Sequence, residues 1–324
     1  MTVRLRDIAE SEGTTPRALA LAEALDIPSQ PGASASLREV LRVGSVPRFR
    51  PERWNDELGV QLTNNCYNFG TDVLNGTFGR PGFASGVTDE ANPPLNCPLA
   101  TAGAIGDGLI STGAEPSLAD VEFGHVTALV IAPGRDFHWY RRGRDGMWSH
   151  KPGGTAATNL DTSGRVITDP RTADRRAINL RFEYTDFCGF FCVPRGDVTI
   201  DGPDRLRRTS AATVVRLLVF SGMPDPEWEV DADEEAVLVA KLNAARRSAR
   251  LTAAAAERPS RLGYSGFVID RPGATPGTRD VTIVHAGVVD EVRLTAAGGP
   301  RADADGLEDE LLEQARRRGF GSLL

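Results

Sequence analysis

Cys66 lies in the run Asn64-Asn65-Cys66-Tyr67-Asn68, where an asparagine can cap a helix whose first turn holds the cysteine. A thiol there faces unpaired backbone N–H groups and the positive end of the helix dipole, and both favour thiolate. A free thiol with a pKa of ~8.5 is only a few per cent ionised near neutral pH, so a good nucleophile also needs an imidazole beside it. The chain has four histidines: His125, His138, His150 and His285. His150 is the preferred base because Asn159 and Asp161 follow it closely enough to orient its ring. His138 and His125 stand as alternatives, and His285 lies in the distal region. The competing reading of Cys66 is a small buried hydrophobe.

The elements that must position these groups can be read from periodicity and turn chemistry. Residues 1–45 read as short helices on either side of a Pro/Gly/Ser/Ala linker at Ser29–Ser36, and 46–200 carry most of the aromatic residues and all four cysteines. Within that region the sequence predicts a helix opening at Cys66 and running to Leu74, and a second over Leu99–Leu109. A buried strand is expected over His125–Ala132, ended by Pro133-Gly134. Phe137–Tyr140 and Met147–His150 form two arms of a hairpin across Arg144–Gly146, and Phe187–Val193 forms a last strand. From 201 to 324 a small α+β unit is expected. Its helices run from Ala211 or Thr213 to Phe220, from Asp233 to Glu257 and over Leu307–Arg318. Its strands lie at Gly266–Asp270, Val281–His285 and Val288–Leu294, with Ala286-Gly287 as a turn. The fold class is therefore α+β, with boundaries near 45 and 200.

Composition excludes several function classes. A net charge of -7 argues against a chain-wide grip on nucleic acid or anionic lipid. The charged opening Met1-Thr-Val-Arg-Leu-Arg-Asp and the lack of any apolar run of ~18 residues predict a cytoplasmic chain with no membrane contact. Four cysteines in that compartment are expected to remain free thiols. No C-x-x-C pair is present, and Cys188 and Cys192 are ~13 Å apart on one strand face, so no metal is expected. Gly103-Ala-Ile-Gly-Asp-Gly108 lacks the lysine of a phosphate loop and the order of a dinucleotide fingerprint. No cofactor is predicted. Trp139, Tyr140 and Trp148 either line a groove suited to a peptide or sugar or pack across the hairpin.

The order of a cysteine at a helix start, a histidine on a strand and then an asparagine or aspartate resembles the papain-like cysteine hydrolase superfamily, in particular its compact bacterial amidases and peptidases. The likeness covers about Trp54–Pro194. It implies a cysteine helix packed on a small antiparallel sheet and hydrolysis of an amide or peptide bond through an acyl-enzyme. It also places Gln61, or Asn65, beside the oxyanion. Asn64–Asn68 replaces the glycine-serine-cysteine-tryptophan neighbourhood of papain-type proteases. The motifs Phe137-His-Trp-Tyr-Arg, Trp148-Ser-His-Lys-Pro-Gly and Thr158-Asn-Leu-Asp are also similar to a recurrent group of bacterial proteins. The expected substrate is a peptide or amide, with the regions 1–45 and 201–324 available to a protein partner. The alternative from another class is a non-catalytic binding or effector module that presents the aromatic groove.

Overall fold

The computed structural model describes residues 46–324 except 119–123, 181, 203–211, 249, 253–259, 274–277 and 293–296. The helical arm expected over 1–45 lies outside the described residues. The chain is α+β, with two antiparallel sheets that follow one another in sequence.

The first sheet contains β1 (Ile110–Gly113), β2 (Gly124–Ala132), β3 (Asp136–Arg142), β4 (Trp148–His150) and β5 (Asp186–Pro194), in the order β1-β5-β2-β3-β4. β2 is buried along its whole length between two neighbours, which is why its sequence is a continuous apolar run rather than an alternating one. Three short helices precede the sheet: α1 (Glu52–Asn55), α2 (Leu58–Thr63) and α3 (Cys66–Thr71). Asn65 starts α3 through a capping box, its side chain accepting from the N–H groups of Tyr67 and Asn68. α3 packs on β3, and Gly70 permits the approach, because a Cβ there would press on the side chains of Thr127 and Trp139. α4 (Cys97–Gly106), capped by Asn96, covers the same sheet near β5.

The second sheet runs β11-β10-β9-β8-β6-β7, built from β6 (Val214–Leu217), β7 (Glu227–Glu229), β8 (Phe267–Pro272), β9 (Arg279–His285), β10 (Val288–Val292) and β11 (Ala297–Ala302). Two amphipathic helices, α5 (Ala232–Arg247) and α6 (Leu307–Arg317), bury Leu238, Leu242, Leu307 and Leu311 against Val215, Leu217, Phe267 and Ile269. A short 3-10 turn, Phe320–Leu323, closes the chain. Leu62 of α2 meets Leu218, Val268 and Ile283, which joins the two halves.

Three expectations are corrected. The helix expected up to Phe220 is replaced by strand β6, because Val214 and Val215 are β-branched and their backbone pairs with β7 and β8; residue 211 is not described. The helix beginning near Asp233 ends at Arg247, where Ser248 leaves helical geometry (ψ 170°), instead of continuing to Glu257. The cysteines are not all free: Cys97 of α4 and Cys188 of β5 form a disulfide, while Cys66 and Cys192 are buried thiols.

The disulfide closes a span of 91 residues. A loop of that length carries a cross-link stabilisation on the order of 4 kcal/mol. Replacing both partners by serine is expected to remove 2–4 kcal/mol, read as a lower urea midpoint equal to that of the reduced wild-type chain. An unchanged midpoint would show that this cross-link constrains nothing.

Candidate functional site

The site is set by the alternation of strand side chains. Asp136, His138 and Tyr140 share one face of β3, and Tyr140 lies directly opposite His150 on β4, so His138 and His150 are diagonal neighbours on that face. The backbone of β3 before Tyr140 has no β4 partner, since that pairing covers only Tyr140–Arg142. Cys66 takes this place: its Sγ lies 3.7 Å from the carbonyl of Phe137. Ser221 lies beside the thiol, and its Oγ is 2.5 Å from Nδ1 of His138. Nε2 of His138 is 2.7 Å from Nδ1 of His150, and Nε2 of His150 is 2.9 Å from the carbonyl of Leu160.

The proton positions along this chain follow from its last member. A carbonyl only accepts, so Nε2 of His150 carries a proton and its Nδ1 accepts from Nε2 of His138. Nδ1 of His138 then accepts from the Ser221 hydroxyl. The thiol donates its single proton to Phe137 O. Both imidazoles are neutral. Burial pushes His150 down to about 4, and burial together with the His150 ring holds His138 well below the usual histidine range. Burial raises the Cys66 thiol far above its ordinary value, so it is protonated. The helix terminus does not offset that desolvation in a six-residue helix.

Ser221 is held by a carboxylate. Asp136, completely buried, accepts from the backbone N–H of Ser221 (2.5 Å), Gly222 (3.0 Å) and Met223 (2.7 Å) and from the hydroxyl of Tyr184 (2.5 Å). Burial outweighs these donors and raises its pKa to about 6. Gly222 has no room for a Cβ beside the ring of Phe137, and its carbonyl accepts from the amide of Asn65 at 3.1 Å. Lys151, next to His150, is also fully buried and donates to the carbonyls of Gln61 (2.6 Å), Asn64 (2.5 Å) and Gly153 (2.6 Å). That arrangement uses all three donors of an ammonium, although burial lowers its pKa to about 7. Lys151 thereby fixes the chain just before Cys66.

The expected site residues are thus only partly assembled. His138, not His150, bonds the serine beside the thiol, and both nitrogens of His150 are committed to His138 and Leu160. Neither Asp161 nor Asn159 orients an imidazole: Asp161 accepts from Ser163, Arg165 and Asp174 in a tight turn, and Asn159 hydrogen-bonds through its backbone carbonyl to Ile167. The Gln61 amide donates to Gly154 O, and Asn65 caps α3 while donating to Gly79 and Gly222, so neither side chain faces the sulfur as an oxyanion donor. His125 bonds the carbonyl of Gly70 at 2.8 Å, at the other end of α3. The aromatic residues form no groove. Trp139 packs on Tyr67 and Phe191, Trp148 on Phe190, and Tyr140 stacks on His150, all buried. The Tyr140 hydroxyl is enclosed without a hydrogen-bond partner. Among the described residues, no cluster of three or more histidine, cysteine, aspartate or glutamate side chains is able to hold a metal ion, and no helix is long and apolar enough to cross a membrane.

Asp136, Lys151 and Ser221 were missed from sequence. Lys151 and Asp136 are each close to a chosen histidine, and a charged residue inside an otherwise apolar strand pair was the available signal. Ser221 carried no signal, being 83 residues from the histidine it bonds.

Comparison with known proteins gave one informative relative. Insoluble matrix shell protein 1 of Ruditapes philippinarum is 43% identical over 162 residues, which are 50% of this chain and 99% of that protein. The chain belongs to the family of that protein. Nearly the whole length of insoluble matrix shell protein 1 is therefore matched, while half of the chain has no counterpart in it. No family model and no solved structure matches the chain.

The histidine values set a pH dependence. His125, like His150, is pushed down to about 4 by burial. Between ~6.5, where histidines of an unfolded chain titrate, and about 4, the unfolded state binds protons that the folded state refuses, so stability falls as pH falls through that window. Asp136, whose raised carboxyl takes up one proton in the folded state below about 6, opposes this with a single site against three. The expected outcome is a loss of roughly 1–3 kcal/mol per pH unit between pH 6.5 and 5, measured by urea unfolding. A profile that is flat or rises toward acid would contradict the neutral, sealed imidazoles.

Proposed function

We propose that the chain is a latent cysteine-dependent hydrolase of papain-like type, with Cys66 as nucleophile, His138 as base and His150 as the group that orients it. The observation that carries this reading is the hydrogen-bonded series that starts at Ser221, beside the Cys66 thiol, and runs through His138 and His150 to the carbonyl of Leu160. Its tautomers leave Nδ1 of His138 as an acceptor, engaged by the Ser221 hydroxyl beside the sulfur. In the chemistry proposed, Nδ1 takes the thiol proton as sulfur attacks an amide carbonyl. The imidazolium returns it to the departing amine, and water then cleaves the thioester. The segment Ser221–Met223 has to withdraw first, because Ser221 occupies the position where thiol and imidazole would meet.

A second reading is favoured by the complete burial of the thiol and by the relative's name. In it, the same buried series is a structural polar core and the chain is a component of an insoluble matrix. The Cys97–Cys188 disulfide supports an oxidising compartment for either reading, against the cytoplasmic placement expected from the charged first residues.

Alkylation of the thiols by iodoacetamide, followed by peptide mass analysis, separates the two. In the wild-type chain, Cys66 and the buried Cys192 are expected to label slowly and alike. A Ser221→Gly, Gly222→Ala double variant should speed labelling at Cys66 tenfold or more and leave Cys192 unchanged. Adding His138→Ala should abolish most of that gain, and the opened chain should release one equivalent of nitrophenol in a burst from a nitrophenyl ester. Equal labelling of both cysteines in the opened variant, or indifference to His138, would leave the structural reading standing.

A further inference from the structure

At the opposite end of α3 from Cys66, a cleft of about 510 Å³ is lined by Arg48, Arg50, Arg53, Arg141, Arg144 and Arg195, with Asp72 as its one carboxylate. Six guanidinium groups line the cleft beside one carboxylate, in a chain whose net charge is -7, so positive charge is in excess there. The excess is therefore a local feature rather than a reflection of overall composition. Asp72 is already committed: it accepts from Arg53 at 2.8 Å and from Arg141 at 2.6 Å. Its position is fixed because it ends α3 in the left-handed region (φ 59°). Arg141 is 2% exposed and also donates to the carbonyl of Phe69, so the floor of the cleft is a rigid, buried guanidinium over the faces of Phe69 and Trp54. At the rim, Arg48, Arg50 and Arg195 are exposed and have no carboxylate partner among the described residues. Gathering like charges this closely is unfavourable unless something neutralises them.

We infer that this cleft binds a compact molecule carrying two or more phosphate or sulfate groups. The volume is that of a small-molecule site, and guanidinium forks match tetrahedral oxyanions through paired N–H donors. A single negative charge would leave most of the excess uncompensated. The cleft shares α3 with the thiol but uses none of the residues around Cys66, so this site stands independently of any reaction there.

The test is calorimetric titration of the full chain with inorganic pyrophosphate and, separately, with a trisulfated heparin-type disaccharide, each against sodium chloride of matched ionic strength. Micromolar binding of either probe, weakening steeply with added salt, is expected. Pyrophosphate alone would assign phosphate, and the disaccharide alone would assign sulfate. An Arg48→Glu, Arg50→Glu, Arg195→Glu variant should weaken binding at least tenfold with an unchanged urea midpoint, since these side chains are exposed. Heat no greater than that of matched salt for both probes, or equal binding by the variant, would overturn the inference.

Discussion

The buried carboxylate of Asp136 determines how the two halves of the molecule meet. It gathers three successive backbone N–H groups, from Ser221 to Met223, that would otherwise be buried without acceptors. An unmet buried donor costs about 1–3 kcal/mol, so the segment has no comparable alternative position. Because Asp136 shares a strand face with His138, the same grip that docks the segment also sets the Ser221 hydroxyl on the imidazole. Gly222 completes the fit by bringing its backbone against the ring of Phe137. Docking of the second half and closure over the thiol are thus one event, produced by one charged group.

Lys151 plays the corresponding part on the other side of the cysteine. Its three acceptors come from the last turn of α2, from the residue before the Asn65 cap and from its own turn. The cap in turn fixes the first turn of α3, where Cys66 sits. Both buried charges therefore act on backbone rather than on other side chains. That explains why the geometry around the sulfur is tightly specified by backbone groups.

The strands of the first sheet were legible because burial on both faces leaves a continuous apolar run, as in His125–Ala132, and because the hairpin carries an Asp-Gly turn. The diagonal pairing of His138 with His150 was also implicit, since residues twelve apart across that turn share a face. The preference for His150 over His138 relied on nearby polar residues, Asn159 and Asp161, whose hydrogen bonds go to neighbouring backbone rather than to an imidazole. Residues 213–220 misled because an apolar run shows no period that separates a buried strand from a buried helix; only β-branching at Thr213, Val214 and Val215 discriminates. The contacts of Ser221 and the pairing of Cys97 with Cys188 join distant parts of the chain, and no local pattern encodes them.

The same desolvation that closes the site also decides what opening it would change. With Ser221 in place, every member of the series is neutral: a protonated thiol, a serine hydroxyl and two imidazoles whose protons are dictated by Leu160 O. A neutral series stays buried at little electrostatic cost, which a thiolate–imidazolium pair would not. Admitting water reverses the balance, because solvation lowers the thiol's pKa and raises that of His138 together. On the hydrolase reading, proton transfer from Cys66 to His138 is then favoured by the very exposure that lets a substrate enter. On the structural reading, the neutral series is the final state, and its value lies in satisfying polar groups that the fold has buried. The two readings share one closed geometry and differ in whether the grip of Asp136 on residues 221–223 is ever released.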